Sequence, residues 1–170
     1  MLLRGLAALE RPVVVACVGI EADPELRSIE RTLPTRHRVV YLPFTDRPLA
    51  FCRLAAVSAL PSRIEGLSIA LLETMALGLP VVASDAGGNP DLITSGDTGV
   101  LVPPLEPDAW AQALARVLGD REFGARIAGR GRELVRKEFT LERTAERTEV
   151  EYREALERRR SLDGNRSHTR

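Results

Sequence analysis

GLSIALLETMALGLPVVASDAGG, residues 66–88, decides the fold. A stretch of helical length, 67–77, is polar only at Ser68, Glu73 and Thr74; it leads into an apolar run at 80–84 and then into a glycine pair. Helix, buried strand and glycine turn in succession form the repeating piece of a parallel sheet covered by helices on both faces. Outward from this piece the same alternation recurs. Strands are predicted at 13–18, 38–42, 56–60 and 98–102 besides 80–84, and helices at 2–9, 24–33, 48–54 and 90–93. Beyond 102 the pattern is purely helical. Asp108 is placed to cap a helix with Trp110, Leu114, Val117 and Leu118 on one face, ended by Gly119. A second helix is expected from 121 to 137. Thr140 can cap a third, whose stripe of Leu141, Ala145, Thr148, Tyr152 and Leu156 calls for a partner surface.

The 170 residues, 44% hydrophobic and 28% charged, are enough for one α/β domain with a sizeable core. Zero formal charge and no basic groove interleaved with aromatics exclude nucleic acid as the main partner, while peripheral membrane association stays compatible. Five arginines between Arg158 and Arg170 sit among Ser, Gly, Asn and His, which predicts a disordered basic tail at 158–170 after a domain at 1–157. Cys17 and Cys52 have no metal-ligand or disulfide spacing, and no 18-residue apolar run or charged leader is visible; the expected setting is cytoplasmic.

Glu73 poses the chemical question. With Ile69, Ala70, Ala76 and Leu77 as helical neighbours it is costly if buried, unless an arginine or the hydroxyls of a ligand meet it. Gly66 is expected to open the helix, leaving the N–H groups of Leu67, Ser68 and Ile69 free at the positive end of the dipole, where phosphate binds. Glu65 and Glu73 then lie about 12 Å apart along the axis, close to the span of a nucleotide-sugar wrapped around a helix start. The glycine pair of SDAGGNPDLI, 84–93, emerges at the same carboxyl edge of the sheet. It reads equally as a tight turn with Asn89 as cap and Pro90 at the first helical position. No histidine stands at a strand end (His37 precedes one, His168 lies in the tail), and no Gly-x-Ser-x-Gly elbow occurs.

Residues 61–118, with a glutamate, seven residues, a second glutamate, then MALGLPVVASDAGG and GVLVPP in order, resemble the donor-binding half of family 4 glycosyltransferases of the GT-B fold. The resemblance continues through the last helix. It implies a retaining glycosyltransferase, metal-independent and without a cofactor, that moves a sugar from a nucleotide-diphosphate donor to an acceptor hydroxyl. It implies Glu65 beside the transferred sugar as the catalytic carboxylate, the backbone of Gly66, Leu67, Ser68 and Ile69 on sugar hydroxyls and phosphate, Glu73 on the ribose diol, and Leu42 and Pro43 facing the base. A different class of reading is a non-catalytic nucleotide-sugar-binding module or fragment; an epimerase is a third. Departures are EGLS in place of Glu-Gly-Phe-Gly, Ala56-Val57 in place of Ala-Asp, and a start at MLLRGLAAL that aligns after the first strand and its Arg/Lys pair. The fold class expected is therefore the C-terminal half of GT-B, a Rossmann-like parallel sheet lacking its first strand, which is central in the order 3-2-1-4-5-6. The strands at Val13 and Val57 must then close on each other or recruit a foreign strand, from a chain carrying the acceptor half or from an oligomer.

Overall fold

The computed structural model describes residues 1–166, with side chains described through residue 159. Five strands alternate with helices. They are β1 (Val14–Val18), β2 (Arg38–Leu42), β3 (Ser58–Leu60), β4 (Val81–Ser84) and β5 (Val100–Val102). The helices are α1 (Leu2–Gly5), followed by a 3-10 turn (Leu6–Ala8), α2 (Pro24–Thr32), α3 (Pro48–Cys52), α4 (Ile69–Ala76), α5 (Asn89–Leu92), α6 (Pro107–Gly119), α7 (Arg121–Glu138) and α8 (Leu141–Arg166).

All strand pairs are parallel, but the strands form two sheets, β1-β2 and β3-β4-β5. β1 and β3 do not bond to each other, so the five strands are divided between two ladders. What joins the halves is side-chain packing. One cluster contains Leu3, Leu6 and Leu9, Val39 of β2, Val82 and Val102 of the second sheet, and Trp110, Leu114 and Val117 of α6. On the opposite face of the second sheet, Leu71 and Met75 of α4 and Val135 of α7 cover Val81 and Ala83. β4, buried at all four positions, is thus covered on both faces, as a parallel α/β strand requires. β1 is not: Val14 remains 68% exposed.

Gly78 ends α4 with φ +77°; Leu79 N–H donates to Thr74 O (3.2 Å) and Gly78 N–H to Met75 O (2.9 Å), a Schellman closure that needs a left-handed residue. Gly78→Ala is expected to cost about 1 kcal/mol, read as a loss of about 2–4 °C in Tm. A melt within 1 °C of the parent contradicts this cap.

Four sequence expectations are corrected. The helix carrying Glu73 opens not at Gly66 but at Ile69, because the Ser68 side chain supplies the cap, accepting from Leu71 N–H at 3.4 Å. Asp108 does not cap α6; Glu106 holds that position and Pro107 follows it. Asn89 is not a cap either, since Gly88 precedes the turn of α5 while Asn89, fully buried, donates from Nδ2 to Ser84 O at 2.9 Å. The tail expected to be disordered from 158 continues α8 to Arg166, after i,i+4 pairs Arg153–Glu149 and Arg158–Glu154; residues 167–170 lie outside the described residues. Thr140 does cap α8, accepting from Arg143 N–H at 3.2 Å, and the apolar stripe of α8 is uncovered, with Leu141 at 87% and Tyr152 at 70% exposure. No helix among the described residues is long and apolar enough to cross a membrane.

Candidate functional site

The carboxyl end of β3 releases the chain into a loop, 61–67, that ends at the Ser68 cap of α4. Four N–H groups at this helix start, those of Ser68, Ile69, Ala70 and Leu71, have no acceptor within the helix. The Ser68 hydroxyl takes that of Leu71, and Leu72 closes the first turn on Ser68 O at 3.1 Å. Three donors at the positive end of the dipole stay available to an anion.

α4 has two faces. Leu71, Thr74 and Met75 are buried against β4 and α7, whereas Ile69 (61% exposed), Ala70 and Glu73 look outward, as does Leu67 just before the helix. Apart from α3, which packs on α4, the described residues leave this second apolar side open. Glu73 is exposed rather than buried, and among the described residues its carboxylate makes no ion pair and no hydrogen bond. No guanidinium locks it. α3 packs on α4, and burial, with the Glu73 charge second, pushes the Cys52 thiol up.

Glu65 is half-buried and Gly66 exposed. Both are held from behind by the loop after β4, where Gly88 N–H donates to Glu65 O at 3.3 Å. The structure thus brings together Glu65, Gly66, Leu67, Ser68 and Ile69 at one helix start, with Glu73 about one turn on. Leu42, half-buried at the carboxyl end of β2, and Pro43, exposed just after it, stand apart from this group on the other sheet; α3, which follows them, packs on α4. Sequence reasoning passed over Arg63. It is exposed in the same loop, two residues before Glu65, without an ion pair or hydrogen bond among the described residues. Its charge reaches the Met1 amino group, which burial pushes down, with Arg4 and then Arg63 adding to the effect. A cation adjoining an anion-seeking helix start is the signal that could have found it.

Residues 1–120 match the family described as Glycosyl transferases group 1. An alpha-D-kanosaminyltransferase from Streptomyces kanamyceticus is 33% identical over 135 residues, 78% of this chain and 35% of that protein. A D-inositol 3-phosphate glycosyltransferase from Corynebacterium glutamicum is 35% identical over 155 residues, 88% of this chain and 36% of that protein. The chain therefore spans about a third of the length of these curated relatives. Among solved structures, Anabaena Alr3699/HepE in complex with UDP and glucose superposes with a TM-score of 0.81 at 25% identity, covering 91% of this chain and 44% of that one. Sucrose-phosphate synthase from Thermosynechococcus elongatus gives 0.73 at 28% identity, covering 91% and 41%. A parallel α/β sheet that superposes on part of GT-B enzymes, an open helix start flanked by two glutamates, and a family match running from the first residue through α6 lead to one assignment: the chain belongs to the group 1 glycosyltransferases.

Proposed function

We propose that this chain is the donor-binding half of a retaining family 4 glycosyltransferase, and that it takes a nucleotide-diphosphate sugar at the amino end of α4 without a metal. The observation that carries the reading is the Glu73 carboxylate, exposed and unpaired on the open side of the helix whose start offers three free N–H donors. An acid left free in that position suits the vicinal diol of a ribose, and the N–H donors with Arg63 suit the diphosphate. Glu65, at the other end of the same segment, is placed for the transferred sugar. In the transfer, the bond from the sugar C1 to the β-phosphate oxygen breaks and the acceptor oxygen bonds to C1 on the same face; the acceptor proton passes to the departing diphosphate oxygen. Donors already aimed at the departing diphosphate stabilise the charge that develops on it. The UDP and glucose held by the structural relative from Anabaena support this class of ligand.

The partner follows from the split sheet. β1 and β3 each have a ladder partner on one side alone, and neither carries a Lys or Pro of the kind that guards a permanent edge. We propose that a chain supplying the acceptor-binding half, or a further copy, also supplies a strand between them. A pure chain that is monomeric in sedimentation, melts cooperatively and transfers sugar alone removes this part of the reading.

Calorimetry with UDP, GDP and ADP tests the donor site. Micromolar to millimolar binding of one of them is expected, and Glu73→Ala is expected to weaken it about ten- to hundredfold, the worth of a charge-assisted hydrogen bond pair. Heat with none of the three favours the non-catalytic fragment.

A further inference from the structure

The glycine pair after β4 is absorbed neither by the sheet nor by the proposed ligand contacts, and its geometry is unusual. Gly87 has φ +57°, and a Cβ built on it would collide with the Glu65 carbonyl oxygen. Gly88 has an ordinary backbone (φ −84°, ψ 1°), so conformation does not demand glycine there. Space does: a Cβ on Gly88 would lie 2.5 Å from Gly66 O and 3.1 Å from its carbonyl carbon. Two backbones are in direct contact, Gly87 on Glu65 and Gly88 on Gly66, with Gly88 N–H donating to Glu65 O at 3.3 Å. The second loop is itself braced. Asn89 Nδ2 bonds Ser84 O (2.9 Å) across it, Asn89 N–H bonds Ala86 O (3.2 Å), and Asp85 N–H is tied to Val102 O of β5 (2.8 Å). The first loop has no comparable brace of its own, and Gly66 has open space where a Cβ would stand.

We propose that Gly87 and Gly88 are positioning residues: the loop after β4 is a rigid backbone anvil that sets where the Glu65–Gly66 peptides, and through them the Ser68 cap and the α4 donors, present themselves to the donor. The pair touches no ligand in this scheme. It acts by excluding side chains from between two backbones 22 residues apart in sequence, so that Glu65 and the helix start are placed by the central strand β4 and not by the first loop alone. The ligand side of this inference rests on the donor-site reading; the mechanical side does not.

Gly88→Ala is the clean probe, because alanine fits the backbone of Gly88 but not the gap, and Gly129→Ala, where a Cβ meets nothing, is the control. Amide hydrogen exchange of the full chain is expected to quicken at least tenfold in Gly88→Ala at Leu71 and Leu72, whose N–H groups are bonded to the Ser68 hydroxyl and carbonyl, while α6 and α7 keep the parent pattern; Gly129→Ala leaves Leu71 and Leu72 unchanged. UDP affinity is expected to fall at least tenfold in Gly88→Ala and to stay within twofold in Gly129→Ala. Parent-like exchange at Leu71 and Leu72 in a folded Gly88→Ala chain overturns the proposal. If the parent chain binds no UDP, the donor-site reading fails while the exchange result still decides the anvil. If Gly88→Ala does not fold, the parent answers: UDP is expected to slow exchange at the Gly88 amide together with 66–71, and protection of 66–71 without Gly88 overturns the coupling.

Discussion

Trp110→Ala is expected to lower stability by about 3–5 kcal/mol and Tm by about 6–20 °C. Trp110 is fully buried in the cluster shared by α1, α6 and both sheets, with its Cβ 3.1 Å from where a side chain on Gly5 would begin. The cost here is more than a cavity. No backbone ladder joins β1 to β3, so the β1-β2 pair is attached to the rest by this side-chain core, and the indole is its largest member. Against a total stability of about 5–15 kcal/mol such a loss is a large fraction. Trp110→Phe is expected to cost only about 1–2 kcal/mol, because it keeps a ring and removes an indole N–H that has no partner among the described residues. The check is a thermal or urea melt followed by far-UV and tryptophan-independent probes. An alanine variant that melts within 3 °C of the parent shows that α6 does not hold the halves together in this way.

What could be read from the residues, and what could not, divides along contact range. Each strand was legible within two residues, because β-branched runs bounded by Gly, Pro or Asp report a local preference. The burial of Trp110 and the Thr140 cap were legible for the same reason. The start of α4 was not. Gly66 resembles a helix opener locally, but its backbone is seated on Gly88, a contact 22 residues away that no local pattern encodes, and the chain enters the helix only at Ser68. Whether Glu73 is buried was not legible, because Leu67, Ile69 and Ala70 look like core on a helical wheel; apolar character shows that a face wants cover, not that this chain provides it. The same holds for α8, whose Leu141, Tyr152 and Leu156 remain open. Arginine density from 158 onward suggested disorder, yet glutamates one turn earlier pair with Arg153 and Arg158. The split between β1 and β3 was legible only through strand order, since each strand taken alone reads as an ordinary buried one.

Glu65→Gln is expected to cut sugar transfer about 100- to 1,000-fold while leaving nucleotide affinity within about threefold. The separation of the two effects follows from the layout of α4. The nucleotide end is assigned to Glu73 and the helix-start donors, which Glu65→Gln leaves intact, whereas Glu65 sits before the helix at the end assigned to the sugar. Glutamine keeps the size of the side chain, and Gly88 still holds the carbonyl of residue 65. Only the carboxylate charge is lost, and with it the stabilisation of positive charge that grows on the sugar as the diphosphate departs. The measurement needs no acceptor half: release of UDP from a UDP-sugar, with water as acceptor, reports the same bond cleavage, and calorimetry with UDP reports the affinity. If cleavage stays within twofold of the parent, Glu65 is not the carboxylate that acts on the sugar. If affinity for UDP falls as far as the rate, Glu65 holds the ground state and not the transition state, and the division of labour between the two glutamates is the reverse of the one drawn here.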